Sequence, residues 1–226
     1  TNGKRLGVVT VQQSAGAENA FAGIAQARTD SSPVLFLPGH PGRDLVGVSP
    51  TFDAMRNYAG ITKWADMIPS ANAVPQRMRR AMTELRSGRP GPVMLEIPVD
   101  VAAEEFSCPL EYRPVGPLRS SGSPDAIRDA VKLLLAAKRP MIWAGQGVLY
   151  ADASSELTEL AEQLPAPVMT TLMGKSAFNE RHPLALGTGS YSATAMARDY
   201  LDRCDAVLAI GASLTKTIFA PVIPVD

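Results

Sequence analysis

Apolar, strand-like runs alternate with helix-period segments along the chain, and this alternation restricts the possible folds more than any other feature. The first run, Leu6–Val11, is predicted to be a buried strand, and the second covers Pro33–Leu37. An Ala- and Gly-rich helical segment, Gly16–Arg28, lies between them. A strand, a crossover helix and a second strand in one sheet run parallel, with a right-handed connection. We therefore predict an α/β protein built from parallel sheets.

The helix and strand that end the first hundred residues show the pattern most clearly. The apolar positions of the helix recur at helical spacing: Val74, Met78, Ala81, Met82 and Leu85. They form one stripe along a helix. The strand predicted at Pro92–Ile97 is apolar on both of its faces, which is typical of a parallel sheet covered by helices on both sides. We expect a three-layer unit.

A second α/β unit is predicted from residue 123 onward. Ser123 is a good N-cap, Pro124 suits the first helical turn and Asp125 complements the helix dipole. Strands are predicted at Pro140–Ala144, Pro167–Thr171 and Ala206–Ile210, helices at Asp152–Leu164 and Ala193–Arg203, and a turn at Gly145-Gln146-Gly147. We expect a second unit with a parallel sheet.

The intervening residues, 101–122, differ from both units. They contain Pro109, Pro114 and Pro117, and they end in a Ser- and Gly-rich run. Such composition is typical of an interdomain linker. We predict domains at 1–100 and 123–226, the second of them incomplete at its C-terminus. We also expect that the chain begins inside a longer protein or was trimmed.

Charge and hydropathy exclude several classes of function. The chain has 226 residues, with 22 Lys plus Arg against 22 Asp plus Glu, so no net charge attracts nucleic acid or an anionic membrane. No apolar run approaches the roughly 18 residues of a membrane span. The two cysteines, Cys108 and Cys204, have no nearby partners in the sequence. We expect a cytoplasmic protein that binds neither nucleic acid nor membrane.

Short phrases in a fixed order carry a family resemblance. In the first unit they are GVV (7–9), SAGAEN (14–19), Asp30-Ser31-Ser32-Pro33-Val34, PGHPGR (38–43), TK (62–63) and GRPGPV (88–93). Here the chain resembles the thiamine diphosphate-dependent enzymes of the acetolactate synthase and benzoylformate decarboxylase type. The resemblance implies the back half of the family's pyrimidine-binding domain.

The resemblance continues in the second unit. Its phrases are RPMI (139–142), AGQG (144–147), PVMTTLMGK (167–175), HPL (182–184) and CDAVLAIGA (204–212). They are similar to the central, Rossmann-like domain of the same enzymes. The predicted fold class is therefore α/β, with two parallel-sheet, three-layer units: a partial pyrimidine-binding domain and a Rossmann-like central domain.

The first strand-to-helix turn is the predicted thiamine diphosphate site. The strand ends at Gln12 or Gln13, and ligands of α/β proteins usually bind outside the carboxyl ends of the strands. The resemblance assigns cofactor contact to Ala15, Gly16 and Asn19, with Ala15 in place of the family's usual proline. The alternative is a tight turn in which Asn19 only makes local hydrogen bonds.

Gln13 and His40 are the candidate catalytic residues. Relatives carry a polar catalytic side chain at Gln12 or Gln13, but glutamine cannot exchange protons near neutral pH and could only orient a substrate. His40 occupies a position where the family usually has glutamine beside the cofactor, and histidine can also titrate. The alternatives are a capped strand end and an exposed loop histidine. Phe52 matches a family phenylalanine at the active-site entrance, or is ordinary core.

A second cofactor site is suggested by Gly145 and Gly147, together with Thr171 and Leu172. Relatives of the acetolactate synthase type bind FAD in this domain, but the glycine pattern lacks its third glycine and the acidic residue that follows. The arginine after Gly211-Ala212 and the histidine between 187 and 192 are also absent. We expect a vestigial site that does not bind FAD.

The resemblance implies an enzyme that makes or breaks a carbon–carbon bond of a 2-oxo acid, with thiamine diphosphate and Mg²⁺, in a homodimer or homotetramer. The catalytic glutamate of the family precedes the first phrase, and no Gly-Asp-Gly metal motif occurs in the sequence. We therefore expect this polypeptide alone to be inactive. The alternatives are an inactive fragment and a nucleotide-binding module of the central domain.

Overall fold

The computed structural model describes residues 6–113, 116 and 120–215. The chain divides into two compact units, with the division between Ser120 and Ser121. Each unit contains a four-stranded sheet in which all described pairings are parallel. The predicted α/β class with two parallel sheets is confirmed. Parts of the predicted linker (114, 115 and 117–119) and the residues after 215 lie outside the described residues.

The first unit has strand order β1-β2-β4-β3. Its elements are β1 (Gly7–Val11), α1 (Ala15–Thr29), β2 (Val34–His40), α2 (Ala54–Tyr58), β3 (Trp64–Met67), α3 (Val74–Arg86), β4 (Val93–Pro98) and α4 (Val99–Ala102), with short 3₁₀ turns at Arg43–Leu45 and Ala71–Ala73.

Helices cover both faces of the two central strands, as predicted. On one face, Phe36 of β2 and Met94 of β4 pack with residues of α1 and α2, among them Ile24 and Tyr58. On the other face, Leu35, Val93 and residues of α3 form a separate core cluster. Burial on both faces explains the continuous apolar run in β4.

The prediction that the first strand is buried was wrong. Val8 is 62% exposed and Val9 is 38% exposed. Among the described residues, β1 pairs only with β2, so it lies at an edge of the sheet, where helices cover less of it. The second strand is longer than predicted, because pairing with β4 continues through Gly39 and His40. This extension places His40 at the carboxyl end of the sheet.

The second unit has strand order β7-β6-β5-β8. Its elements are α5 (Pro124–Ala136), β5 (Pro140–Ala144), α6 (Gln146–Ala151), α7 (Ser154–Gln163), β6 (Val168–Thr170), β7 (Ala185–Thr188), α8 (Ala195–Arg203) and β8 (Ala206–Ile210).

Two of these elements were not predicted from the sequence. The helix α6 begins inside the Gly145-Gln146-Gly147 segment. Glycine has a low helix propensity, so the sequence did not indicate this helix, which tertiary packing stabilises. It ends at Asp152, whose φ of 58° is left-handed, so the predicted Asp152–Leu164 helix is in fact the separate helix α7. The strand β7 contains Gly187 and only four residues, too few for a clear alternating pattern.

Within the described residues, no helix combines the length and apolar character needed to cross a membrane. The two cysteines are free: Cys108 is exposed and Cys204 is buried.

Candidate functional site

The turn between β1 and α1 lies at the carboxyl end of a parallel strand, as predicted. Ser14, at the N-cap, has a φ of 52° and a ψ of −105°, a backbone conformation that serine rarely adopts. Ala15 and Asn19 are exposed. Backbone strain of this kind concentrates at ligand sites. The turn therefore presents a strained, accessible surface.

Close packing against the preceding strand explains why residue 16 is a glycine. A Cβ added at Gly16 would lie 3.1 Å from Cβ of Gln12 and 3.3 Å from Cβ of Val11. The glycine thus lets α1 approach the end of its own strand closely. A side chain at this position would point toward the chain itself, so Ala15 and Asn19 are the exposed residues among the three assigned to the cofactor.

Gln13 and His40 lie at the carboxyl ends of the neighbouring strands β1 and β2. A Cβ added at Gly39 would lie 3.2 Å from the backbone nitrogen of Gln13 and 3.5 Å from its Oε1. Gln13 therefore packs against the residue that precedes His40. The parallel pairing of β1 with β2, in which Val11 is opposite Pro38, causes this arrangement.

His40 is a buried strand residue, so the alternative of an exposed loop histidine is wrong. Its exposed fraction is 4%, and its Nδ1 accepts a hydrogen bond of 3.3 Å from the backbone N–H of Gly42. A neutral ring with an accepting Nδ1 carries its proton on Nε2. His40 therefore has one nitrogen that can donate to a ligand.

A cavity of about 180 Å³ lies beside His40, between the sheet and the loop that leads into α2. Its lining residues are His40, Val46, Gly47, Thr51, Phe52, Asp53, Ala54, Met55, Met67 and Glu96. Of the residues singled out in the sequence, only His40 and Phe52 line this space. Gln13, Ala15, Gly16 and Asn19 do not line it, so the predicted site residues fall into two neighbouring groups.

Glu96 is a cavity residue that the sequence analysis missed. It lies in β4 beside Met67 of β3, and only 1% of it is exposed. Its Oε2 has no hydrogen-bond partner among the described residues. Burial, with a contribution from the charge of Asp53, raises the pKa of Glu96 to about 7. An acidic residue within an apolar strand was the pattern that could have identified it.

Polar contacts fix the loop and helix that cover the cavity. The carboxylate of Asp53 accepts a hydrogen bond of 2.9 Å from the backbone N–H of Arg56, which caps α2. The Tyr58 hydroxyl donates to the carbonyl of Ala17, which joins α2 to α1. This bond connects the cavity wall to the helix that follows the β1–α1 turn.

Arg43 holds the 3₁₀ turn that follows β2. Its Nε donates to Asp100 at 2.6 Å, and its Nη2 donates to Glu104 at 2.6 Å. A third bond of 2.8 Å reaches the carbonyl of Pro69. The hydrogen bonds from Arg43 lower the pKa of Asp100, so this carboxylate stays charged near neutral pH. The turn next to His40 is thereby fixed to the region around α4.

The glycine segment of the second unit has a different environment. A Cβ added at Gly145 would lie 2.3 Å from the carbonyl oxygen of Gly211, and one at Gly147 would lie 2.6 Å from the Gly211 Cα. The N–H of Gly147 donates to the Gly211 carbonyl at 2.9 Å, and the N–H of Gly145 donates to the Ile210 carbonyl at 2.8 Å. The N–H groups of Gly145 and Gly147, which would have to bind a pyrophosphate, therefore already donate to backbone carbonyls of this chain.

Thr171 and Leu172 lie after β6 and close to the end of β5. The N–H of Thr171 donates to the Ala144 carbonyl, and its Oγ1 accepts from the N–H of Gly174, both at 2.9 Å. Leu172 is 52% exposed. The predicted FAD residues thus lie together at the carboxyl ends of β5 and β6. The contacts of Gly145, Gly147 and Thr171 do not fit a phosphate-binding loop.

The described residues contain no group of three or more His, Cys, Asp or Glu side chains arranged to hold a metal ion. His40, Asp53 and Glu96 share the cavity but do not form such a group.

Two protein families match the chain. Residues 1–62 match the family described as thiamine pyrophosphate enzyme, N-terminal TPP binding domain. Residues 127–224 match the family described as thiamine pyrophosphate enzyme, central domain. The two matches fall on the two compact units.

Similar proteins are acetolactate synthases. A probable acetolactate synthase large subunit of Methanocaldococcus jannaschii is 37% identical over 224 residues, covering 94% of this chain and 37% of that protein. The acetolactate synthase large subunit of Corynebacterium glutamicum is 37% identical over 216 residues, covering 92% of this chain and 34% of that protein. The chain thus spans little more than a third of the length of these relatives.

A solved structure shares the fold. Benzoylformate decarboxylase from Polynucleobacter necessarius superposes with a TM-score of 0.80 at 22% sequence identity, covering 93% of this chain and 40% of that chain. At this identity the similarity establishes the arrangement of elements and no more.

Proposed function

The chain belongs to the thiamine pyrophosphate enzymes, and we propose that its β1–α1 turn forms one wall of a thiamine diphosphate site. The enzyme it serves makes or breaks carbon–carbon bonds of 2-oxo acids. Acetolactate synthesis is favoured over simple decarboxylation, because the relatives at 37% identity are acetolactate synthases.

The observation that carries the proposal is the geometry of the β1–α1 turn. Ser14 is held in a strained conformation, and Ala15 and Asn19 remain exposed at the carboxyl end of a parallel sheet. Sites for ring-containing ligands combine apolar surface with a few fixed polar groups. Asn19 offers an amide that both donates and accepts hydrogen bonds. These residues fit the pyrimidine side of the cofactor.

Thiamine diphosphate supplies the carbanion-stabilising chemistry when it is bound. The residues of this chain would bind and orient. Asn19 would hold the ring edge, and Gln13 would orient a substrate group beside Gly39. His40 can hold a proton at Nε2, since its Nδ1 is occupied by the N–H of Gly42.

The wider setting is also proposed. We propose Mg²⁺ as the companion of the diphosphate, bound outside the described residues of this chain. We also propose a homodimer or homotetramer in the cytoplasm. Free thiols at Cys108 and Cys204 are consistent with a reducing compartment. We do not propose FAD as a cofactor, because the Gly145 and Gly147 donors are already paired within the backbone.

Equilibrium dialysis tests the proposal directly. Protein expressed from the complete reading frame is dialysed against thiamine diphosphate with Mg²⁺, and separately against ADP, which represents a nucleotide-binding module. We expect saturable retention of thiamine diphosphate and none of ADP. Retention of ADP alone would contradict the proposal. Protein expressed from the complete reading frame should also release carbon dioxide from pyruvate only when thiamine diphosphate is present.

A further inference from the structure

The cavity beside His40 is larger than a site for a single water, and its charged groups are acidic. One water needs roughly 15 Å³ of such space, and the cavity has about 180 Å³. Phe52 and Met67 contribute to an apolar wall. None of the described residues that line the cavity is a lysine or an arginine, whereas Asp53 and Glu96 bring two carboxyl groups. The wall therefore suits a cation with an apolar body better than an anion.

Glu96 is the buried polar group of this wall that lacks a partner. It is 1% exposed, and its Oε2 accepts no hydrogen bond from the described residues. In the register of the sheet Glu96 lies opposite Met67 of β3, so both side chains are on the cavity side. A buried polar atom without a partner costs free energy, and in a cavity wall it marks the place of a ligand atom.

Asp53 supplies a second acceptor at the cavity. Its Oδ1 accepts the backbone N–H of Arg56 at 2.9 Å, which holds the carboxylate at the start of α2. Asp53 is exposed, yet it lies close enough to Glu96 for its charge to contribute to the raised pKa of that residue. Two carboxylates that share a site repel each other, and a cation that contacts both would relieve this repulsion.

The other titratable side chains near Glu96 do not replace such a cation. Those on its side of the sheet come from β2, from α2 and from the residue that caps α2: His40, Tyr58 and Asp53. Tyr58 donates its hydroxyl to the carbonyl of Ala17, and burial raises its pKa to about 12, so it stays neutral. On β3, Asp66 alternates with Met67, lies on the opposite face and pairs with Arg77 of α3 at 3.2 Å.

We propose that this cavity binds a small primary ammonium ion with a short alkyl body, held by Glu96 and Asp53. The ammonium group would donate to Glu96 Oε2 and to the Asp53 carboxylate, and the alkyl body would contact Phe52 and Met67. An ammonium group has three N–H donors and can share them between two carboxylates. A metal ion is not proposed, because the described residues form no group of three ligating side chains. This inference goes beyond the proposed function and does not depend on thiamine diphosphate.

Proton linkage gives the proposal a distinctive signature. Burial raises the pKa of Glu96 to about 7, and an ammonium ion favours the ionised carboxylate. A proton therefore competes with the ligand below pH 7, and affinity should fall by up to about tenfold for each pH unit below 7. Affinity should level off above this pH. Alkylammonium ions keep their charge throughout, since amines of this kind titrate near pH 10, about where lysine does.

Isothermal titration calorimetry with propylammonium chloride tests this signature. Protein expressed from the complete reading frame is titrated between pH 5 and pH 8 at constant ionic strength. Glu96→Gln keeps the size of the side chain but cannot become negative. This variant should bind at least tenfold more weakly than wild type at pH 8 and lose most of the pH dependence. Glu105→Gln removes an exposed carboxylate outside the cavity wall and should change nothing.

Two further variants separate the neighbouring groups. Asp53→Asn preserves a residue that caps helices and should weaken binding about threefold at pH 8, less than Glu96→Gln, because Asp53 is exposed to solvent. Since histidine also takes up protons in this range, the pH series is repeated in His40→Gln, where the fall due to Glu96 should persist. Thermal unfolding of each variant confirms that the protein remains folded.

Uncharged and anionic probes of the same size complete the test. Propanol should bind at least tenfold more weakly than propylammonium at pH 8, and propionate should not bind. Wild-type affinity in Glu96→Gln would overturn the proposal, and so would equal affinity for propanol and propylammonium, because the cavity would then select only the alkyl body. Thiamine diphosphate dialysis is run on the same protein. Retained thiamine diphosphate without propylammonium binding would reject this inference alone, and the reverse result would reject only the proposed function.

Discussion

The β1–α1 and β5–α6 turns each contain glycine, and the two turns differ in which atoms lie against that glycine. At the β1–α1 turn, Gly16 lies close to side chains of its own strand, and Ala15 and Asn19 stay exposed. At the β5–α6 turn, Gly145 and Gly147 are pressed against the backbone of Gly211. The first turn therefore has exposed residues that a ligand can contact. At the second turn, the backbone around Gly211 occupies the space beside the glycines.

The strand next to each turn explains the difference. β5 lies between β6 and β8, and the chain leaving β8 crosses directly over the β5–α6 turn at Gly211, whose φ is 61°. β1 has only β2 as its described neighbour, and the chain leaving β2 passes Gln13 without covering Ala15 or Asn19. A glycine at the end of a strand is therefore consistent with a ligand site or with close backbone packing. Which of the two applies depends on whether the segment that follows the neighbouring strand covers the turn.

The largest expected effect is on folding, at Gly145. Gly145→Ala places a Cβ 2.3 Å from a backbone oxygen that cannot move freely, and should destabilise the second unit by roughly 3 kcal/mol. Gly16→Ala should change stability by no more than about 1 kcal/mol, since its Cβ meets side-chain atoms at 3.1 Å. Denaturant unfolding measures both.

Gly23→Ala is the matched control for these substitutions, because Gly23 lies within α1 with nothing within 4 Å of an added Cβ. It should stabilise the protein by about 0.5–1 kcal/mol through helix propensity. Equal losses of stability in Gly145→Ala and Gly16→Ala would remove the contrast between the two turns.

The next effect concerns pH, and it should arise in the first unit. The pKa of Glu96 is about 7 in the folded protein, against 4.5 for an ordinary glutamate. The unfolded chain releases this proton first, so the stabilisation is full below pH 4.5 and is lost as the pH rises to 7. The loss should approach roughly 3 kcal/mol. Urea unfolding of wild type and Glu96→Gln across this range should show it, and parallel curves would contradict it.

A smaller effect is expected for the cofactor at Asn19. Asn19→Ala removes one or two hydrogen bonds to the thiamine ring and should weaken thiamine diphosphate binding roughly tenfold. Gln26→Ala, at an exposed position further along α1, serves as the control and should bind normally. Equilibrium dialysis gives both affinities. Unchanged binding in Asn19→Ala would move the ring contact away from this turn.

No effect is expected from flavin. Because the Gly145 and Gly147 donors are paired with backbone carbonyls, the protein should purify without flavin and retain none after dialysis against FAD. Absorbance near 450 nm in the dialysed protein would show that the second turn opens to admit a dinucleotide.

The sequence predicted the architecture well, because periodic patterns report local burial. The alternation of strands and helices correctly indicated two parallel sheets, and the apolar run at Pro92–Ile97 correctly indicated cover on both faces. The exposure of Val8 was missed, because an edge strand and a central strand have the same composition. The helix α6 was missed because glycine disfavours helices locally. Gly145 and Gly147 are explained by close packing against Gly211, which is distant in the sequence.

The candidate site was predicted only in part. The β1–α1 turn was predicted from its position after a strand together with the family resemblance, and His40 from the family resemblance. Their contact with the cofactor stays a prediction. Glu96 was overlooked because its neighbours in β4 are apolar, although a buried carboxyl in such a strand is itself unusual. The cavity depends on contacts between His40, the loop before α2 and Glu96, which are distant in the sequence. No local pattern reports such an arrangement.

Amide chemical shifts test the central claim most directly. Thiamine diphosphate with Mg²⁺ is added to the ¹⁵N-labelled protein, and every backbone amide is followed by NMR. The claim that the open turn is the cofactor face predicts shifts at residues 12–19 and 39–40, and none at 145–147 or 211. Shifts confined to 145–147 and 211, with residues 12–19 unchanged, would contradict it.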